Sequence, residues 1–393
     1  MKQLSEPIQQ GKNLVQELRL AEAVDYFQSL LARPAEEKAS RIWLARLALM
    51  ADDFTSAEEL LNGVLGGDPR SPEALALQGI YHIKQRQFEK AAAVLEEARK
   101  HDPELAMVYP DLALAYRELR RFPESANVAT RGVKLLPDDP QARLELARTF
   151  WAMGQSQQAI SQALRTLELD PLYLFAYLDL GDWLMTQGRP ETAEELYLEG
   201  IRLTPDAWPL RERLAALYLL SQRPGEALVH ARFLAENRGI ASDHLLWGDC
   251  LLLNDDAESA ESAYKQALEA DTNSWQAHLK LADLYRTFKL LPEAEAEYRA
   301  AGSGEASYDP LNELGLFLLH ENRFEEAAEV LNKALELDPT RQEARLNLGL
   351  CYAALGRTEE AADLARQVSA NSPEGEHVRE EADRLVATLS KTV

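Results

Sequence analysis

The stretch from Leu311 to Pro339, LNELGLFLLHENRFEEAAEVLNKALELDP, carries the pattern that decides the fold of this chain. Apolar and small residues recur at helical spacing as far as Leu318, and polar Asn322 interrupts them. A second helical stripe begins at Phe324 and ends before Pro339. Proline ends a helix because it lacks a backbone donor and disfavours a helical residue before it. The stretch therefore predicts a helix, a short turn and an antiparallel second helix.

The same unit recurs through nearly the whole chain. Small residues mark the first helix of each unit at steps of 34 residues, with two steps of 33. They are Gly11, Ala45, Gly79, Ala113, Ala147, Gly181, Ala215, Gly248, Ala282, Gly315 and Gly349. A second row of small residues follows twelve positions later in every unit. Self-similarity at one period predicts a stack of eleven equivalent helix pairs.

The repeated unit resembles the tetratricopeptide repeat (TPR) family. In one unit Leu180-Gly181, Gly188, Ala193, Tyr197 and Pro205 carry the family pattern, and the matches stay in phase over roughly residues 4–373. The resemblance implies an all-α, right-handed superhelical solenoid of antiparallel helix pairs. It also implies that the first helix of each pair lines a concave groove.

The two short steps suggest how the repeats are grouped. Repeats 1–7 are predicted in residues 4–240, repeats 8–9 in 241–307 and repeats 10–11 in 308–373. Gly239 and the Gly302-Ser303-Gly304 segment stand at these steps, so we expect flexible joints there. Residues 374–391 carry one apolar face and are expected to form a C-terminal capping helix. The alternative is that this helix detaches from the repeats and binds a partner.

Composition narrows the classes of partner. The 393 residues include 65 acidic and 42 basic ones, for a formal net charge of −23. Such a charge argues against a nucleic-acid partner, which needs clustered Lys and Arg. No apolar run approaches the length of a membrane span, and the first residues lack an apolar signal core. We expect a cytoplasmic protein, or a periplasmic one if a signal peptide has been removed.

The sequence offers no pattern for catalysis or for a metal or cofactor. The seven histidines are scattered, and no metal-ligand, phosphate-loop or nucleophile motif is present. Cys250 and Cys351 lie three units apart, too far for a disulfide between units that touch only their neighbours. We therefore expect a protein that is not an enzyme, with no catalytic, metal or cofactor site.

Family resemblance places the binding residues on the first helices. The positions that would hold a carboxylate clamp or an asparagine ladder, two specialised TPR sites, lack the required Lys and Asn residues, apart from Asn347. What remains is an apolar strip with interspersed charges in units five to nine. The predicted groove residues are Leu144, Arg148, Trp151, Phe175, Leu178, Asp182, Met185, Leu219, Leu245, Asp249, Leu252, Leu279, Asp283 and Arg286.

Three functional hypotheses follow. The first is a non-catalytic scaffold or adaptor that binds a protein segment, an amphipathic helix or extended peptide with basic flanks, in its groove. Trp151, Phe175 and Met185 would anchor the segment, and Asp182, Asp249 and Asp283 would select its basic residues. The second is a structural solenoid that self-associates into a homodimer or larger assembly. The third is the TPR region of a larger enzyme system such as a transferase.

Overall fold

The computed structural model describes residues 5–303, 307–373 and 375–390, and all regular structure within these ranges is helical. The predicted boundaries at residues 4, 374 and 391 and the joint residue Gly304 lie outside the described residues. The helices are α1 Glu6–Gln16, α2 Leu20–Leu30, α3 Glu37–Met50, α4 Phe54–Gly67, α5 Pro72–Lys84, α6 Phe88–His101, α7 Val108–Glu118, α8 Phe122–Leu135, α9 Pro140–Ala152, α10 Ser156–Leu169, α11 Leu174–Thr186, α12 Pro190–Leu203, α13 Trp208–Leu220, α14 Pro224–Asn237, α15 Ala241–Leu253, α16 Ala257–Ala270, α17 Trp275–Thr287, α18 Leu291–Gly302, α19 Tyr308–His320, α20 Phe324–Leu337, α21 Gln342–Ala354, α22 Thr358–Asn371 and α23 His377–Leu389.

Odd-numbered helices up to α21 are the first members of helix pairs, and even-numbered helices are the second members. Within every pair, one residue between the two helices has a positive φ, between 56° and 77°. These residues are Leu18, Asp52, Arg86, Arg120, Gly154, Gly188, Gln222, Asp255, Lys289, Asn322 and Gly356. Each stands seven positions after the small residue of its own repeat. Gly154, Gly188 and Gly356 are the three glycines among them.

The small residues let the two helices of a pair approach closely. A Cβ atom added to Gly181 would lie 2.1 Å from the ring of Tyr197, and one added to Gly315 would lie 2.6 Å from Cγ of Leu331. Large side chains of the second helix thus occupy the space above these two glycines. Equivalent alanines such as Ala282 are fully buried. The period of the sequence is therefore the period of helix packing.

The chain comprises two compact units, Met1–Leu210 and Arg211–Val393, which we call unit 1 and unit 2. In unit 1 a core cluster includes Leu95, Tyr109 and Leu112. In unit 2 a core cluster includes Leu318 and Leu331. The grouping of repeats at residues 240 and 307 stays a prediction. No helix in the described ranges is both long and apolar enough to cross a membrane.

Ion pairs restrain the connector at the first short step in unit 2. Gly239 has a φ of 65°, and the preceding residue, Arg238, places Nη2 2.5 Å from Glu212. Arg238 Nε also donates to Asp243, which is 1% exposed, over 2.8 Å. These contacts tie the connector to α13 and α15. The expected flexibility at Gly239 stays a prediction.

The last helix covers the end of the repeats in unit 2. Ala382 of α23 is fully buried and packs with Leu346 of α21 and Val368 of α22. Leu389 is 8% exposed and packs with Ala361 and Ala362. This is the packing expected of a capping helix, which shields the apolar face that the last repeat would otherwise expose.

Candidate functional site

Two aromatic pairs in unit 1 contain predicted binding residues. The ring of Trp151 on α9 stacks on that of Trp183 on α11, with centroids 5.0 Å apart and planes 10° from parallel. Trp183 is 7% exposed, whereas Phe175 at the start of α11 is 56% exposed. Phe175 meets Tyr173 edge to face at 6.0 Å. Trp151 is therefore held in place by its neighbour, and Phe175 offers the larger free apolar surface.

Beside the stacked tryptophans, charged side chains pair from one repeat to the next. We use the term first-helix surface for side chains two residues before and one and four residues after each small residue. On this surface Arg148 Nη1 lies 2.5 Å from Glu145, and its Nε lies 2.5 Å from Asp179 in the following repeat. Arg117 Nη2 reaches the other oxygen of Glu145 at 3.4 Å. The Glu145 side chain is only 4% exposed, so this network is largely removed from water.

The charges of the network change one another's proton affinity. Burial opposes the charged form of Arg148, but Glu145 and Asp179 outweigh it and raise the pKa of the guanidinium. Burial raises the pKa of Asp179 above its usual value, although Arg148 counteracts the rise. Burial and the nearby Glu145 raise the pKa of Asp111 to about 7, and Arg46 opposes that rise.

The three acidic residues predicted to select basic partners already accept hydrogen bonds. Buried tyrosines of the second helices donate to them: Tyr197 to Asp182 over 2.9 Å, Tyr264 to Asp249 over 2.8 Å and Tyr298 to Asp283 over 2.6 Å. Each tyrosine lies fifteen residues after its aspartate. These carboxylates therefore hold the two helices of a repeat together as well as facing the first-helix surface.

In unit 2 the first-helix surface is more open. Lys280 Nζ lies 2.9 Å from Asp249 of the preceding repeat. Arg286 donates through Nε to the Tyr298 hydroxyl over 3.2 Å, and its Nη2 is 3.4 Å from Asp283. Leu252 is 40% exposed.

The predicted site residues fall equally between the two units. Leu144 to Met185 lie in unit 1, and Leu219 to Arg286 lie in unit 2. Leu144 is 1% exposed, so it belongs to the core and offers no surface to a partner; the prediction that it lines a groove is corrected. The other apolar members are partly buried: Leu178, Met185, Leu219, Leu245 and Leu279.

Sequence reasoning missed the charged residues at the centre of the unit 1 network. Asp111, Glu145 and Asp179 each stand two residues before the small residue of their unit. The asparagine-ladder pattern concerns the same row, and three acidic residues in successive repeats are visible in it. Arginines one or four positions after a small residue, such as Arg148 and Arg117, complete the signal.

Stacked antiparallel helix pairs with a constant turn define the class of α-helical repeat proteins. Family models described as tetratricopeptide repeat match residues 14–80 and 318–388 and residues 77–140, 111–173, 144–209 and 245–310. The chain therefore belongs to the tetratricopeptide repeat family and is an all-α TPR solenoid.

The chain spans under a third of the length of three curated proteins that it resembles. U-box domain-containing protein 70 of Oryza sativa subsp. japonica is 29% identical over 45% of this chain and 21% of its own length. Hsp70-Hsp90 organizing protein 1 of Glycine max is 25% identical over 45% of this chain and 29% of its own length. Cellulose synthase operon protein C of Pseudomonas fluorescens (strain SBW25) is 25% identical over 90% of this chain and 27% of its own length.

A solved structure extends the similarity to the fold of nearly the whole chain. The crystal structure of yeast Tom70 aligns with a TM-score of 0.52 and covers 98% of this chain and 95% of its own chain. The sequences are 12% identical over this alignment. At that level the similarity concerns the fold alone.

Proposed function

We propose that this chain is a non-catalytic TPR adaptor that binds a protein segment along the first helices of its repeats. The observation that carries the proposal is that α11 presents the exposed ring of Phe175, which meets Tyr173 edge to face, and stacks Trp183 on Trp151 of the preceding repeat. Aromatic side chains held rigidly are the residues that most often anchor a protein partner. The Hsp70-Hsp90 organizing proteins among the similar proteins carry in their names an association with other proteins.

The charge of the chain favours a partner with basic flanks. The net charge of −23 attracts a cationic segment and speeds its encounter with the surface. An apolar face would meet Phe175, Met185 and the exposed edge of Trp151, and basic residues beside it would meet the surrounding acids. An amphipathic helix or an extended peptide with basic flanks has this pattern.

The test uses two phenylalanines that are equally exposed. Phe175 and Phe288 are both 56% exposed. Phe175 meets Tyr173 at the start of α11, whereas Phe288 follows α17 in unit 2. Partners captured from native extract are identified by mass spectrometry, and the affinity of the purified partner is then measured. Phe175→Ser should weaken binding about tenfold or more, the effect of losing an aromatic anchor, and Phe288→Ser should leave it unchanged. Equal affinities for the two variants would exclude Phe175 as an anchor of the binding site.

Self-association is the second candidate function, because unit 2 exposes apolar side chains around its inter-helix turns. Leu253 is 60% exposed, Phe288 56% and Leu290 44%. A contiguous patch of exposed apolar residues often marks a surface for association with another protein. Light scattering distinguishes the two candidates, since a strict monomer at high concentration excludes the second.

The chain covers under a third of the length of its longer relatives. A role as the TPR region of a larger enzyme system therefore stays a third proposal.

A further inference from the structure

Two cavities adjoin on the second helices of unit 1. The larger, of about 590 Å³, lies between α10 and the turn that precedes α12, and the smaller, of about 310 Å³, lies between α10 and α12. Both are lined by Ile160, Arg189 and Leu164, whose side chain is 47% exposed. Buried Leu180 and Leu184 of α11 form the floor of the smaller cavity. We call the two cavities together the Arg189 cleft, which offers apolar space beside a guanidinium.

Arg189 occupies a position at which arginine recurs. Six repeats have an arginine eight positions after the small residue, directly before the second helix. In five of them a glutamate three positions later pairs with the arginine over 2.5–2.9 Å. The sixth arginine is Arg189, which is followed by Thr192 in place of the glutamate. Its side chain makes no ion pair and no hydrogen bond within the described residues.

A tyrosine ring is the second partner that Arg189 lacks. In three of the six repeats the arginine also lies over a tyrosine ring, 3.8–4.5 Å from the centroid. This tyrosine stands three positions after the small residue, where the repeat of Arg189 has Leu184. Leu184 and Thr192 both line the smaller cavity. The glutamate and the ring that cover Arg121 are therefore both missing at Arg189, and the residues in their places line the cleft.

These replacements indicate which ligand fits the cleft. We propose that the Arg189 cleft binds a protein segment in which a glutamate adjoins a tyrosine, so that the partner supplies the carboxylate and the ring that this repeat lacks. A guanidinium binds a carboxylate through two parallel N–H donors and also stacks on an aromatic face. Arg165 at the rim already pairs with Glu168 over 2.9 Å, so Arg189 is the residue that receives the carboxylate.

The charges of the cleft orient the segment. Arg189 and the ion pair of Arg165 with Glu168 are the charged groups that line the larger cavity. Glu195 and Glu199 line the smaller cavity and repel a carboxylate there. The carboxylate of the segment therefore lies in the larger cavity and the ring lies in the smaller one, where a phenolic hydroxyl can donate to a glutamate.

This cleft differs from the first-helix surface. It is formed mainly by second helices, and Phe175 is not among the residues that line it. A segment bound here presents an acidic residue, whereas the segment proposed for the first helices has basic flanks. The inference therefore does not depend on the proposed function, and the two can fail separately.

The test observes Arg189 in the full chain. Arginine side chains are labelled with ¹⁵N, and Arg189→Gln identifies the Nε resonance of Arg189. The probe is a blocked tetrapeptide, alanine-tyrosine-glutamate-alanine, compared with the same peptide containing glutamine in place of glutamate. The glutamate peptide should shift this resonance and bind about tenfold tighter, the effect of hydrogen bonds to a charged partner. Equal affinities of the two peptides would overturn the proposal.

Thr192→Glu supplies the missing partner from within the repeat. The new glutamate should pair with Arg189, as in the five other repeats, and weaken binding of the glutamate peptide about tenfold or more. Its thermal midpoint should not fall, so the loss cannot be ascribed to unfolding. Thr130→Glu, an exposed site on α8 of the same unit, adds the same charge outside the cleft and should leave the affinity unchanged. Equal affinities of the two variants would contradict the role of Arg189.

Three further measurements identify what the cleft binds. Sodium acetate replaces the peptide by a free carboxylate, and a peptide with serine in place of tyrosine removes the ring. Each should bind at least about tenfold more weakly than the tyrosine-glutamate peptide. Acetate that binds as tightly as the peptide, or a serine peptide of equal affinity, would overturn the proposed segment. Phe175→Ser should leave the affinity of the tyrosine-glutamate peptide unchanged, and a loss would place that peptide on the first helices instead of the cleft.

Discussion

The same two positions of neighbouring repeats form an ion pair in unit 1 and in unit 2, but the charges at the two positions are reversed. In unit 1 the cation Arg148 pairs with Asp179, 31 residues later. In unit 2 the anion Asp249 pairs with the cation Lys280, also 31 residues later. The repeat geometry therefore determines which positions of neighbouring repeats form a pair, and the sequence determines which of the two residues is the cation. The pairs also differ in burial, because the unit 1 side chains are 26% and 24% exposed and those of unit 2 are 44% and 34% exposed.

The largest expected effect tests this difference in burial. Arg148→Met leaves Asp179 and nearly buried Glu145 without their close partner, and should lower stability by about 3–5 kcal/mol. Lys280→Met breaks the exposed counterpart and should lower stability by about 0–1 kcal/mol. Hydrogen exchange of the amides in α9 and α15 reports each unit separately in the full chain. Similar losses in the two variants would show that burial does not distinguish the pairs.

The two units should respond in opposite directions to acid. The pKa of Asp111 in unit 1 is raised to about 7, so its contribution to stability increases as pH falls from 7 towards its unfolded value of 3.8. Burial, followed by Arg211, lowers the pKa of His230 in unit 2 from 6.5 to about 4. Its contribution to stability is therefore lost as pH falls through that window.

Hydrogen exchange against pH checks this opposition, with a limiting slope of about 1.4 kcal/mol per pH unit for each group. Asp111→Asn should reduce the slope in unit 1 alone, and His230→Gln should reduce it in unit 2 alone. An unchanged slope in either variant would mean that other groups control the response of that unit.

Two glycines at the same repeat position should respond differently to one added methyl group. A Cβ at Gly181 would lie 2.1 Å from the Tyr197 ring, whereas the nearest atom to a Cβ at Gly349 is 3.5 Å away. Gly181→Ala should therefore cost about 1–3 kcal/mol through overpacking. Gly349→Ala should gain up to about 1 kcal/mol from helix propensity. Thermal unfolding measures both, and a loss of stability in Gly349→Ala would contradict the packing described.

The smallest effect concerns a contact that the two units share. Removal of the hydroxyl by Tyr197→Phe or Tyr264→Phe deletes the hydrogen bond to an aspartate of the same repeat. Each should cost about 0.5–1.5 kcal/mol. Local hydrogen exchange should show nearly equal losses in unit 1 and unit 2. Unequal losses would mean that this contact, like the ion pairs, depends on its unit.

The fold could be predicted because small residues, turns and prolines repeat in phase. The close packing and the turn of a helix pair depend on residues of one repeat. Positions such as Gly181 and Gly188 therefore show both features directly in the sequence. The Asp111 network could not be predicted in this way, since its members come from different repeats and its strength depends on burial. Leu144 shows the same limit, because no local pattern indicates that its neighbours cover it.

The left-handed turns have an evolutionary and practical consequence. Eight of the eleven turn residues are not glycine, and an L-residue in this conformation bears a cost of about 1 kcal/mol that glycine avoids. These turns are far apart, so glycine substitutions from Leu18 to Asn322 should add nearly independently. Natural selection has therefore not maximised the thermal stability of this chain. Glycine substitutions at these turns can raise it without altering any helix face that a partner touches.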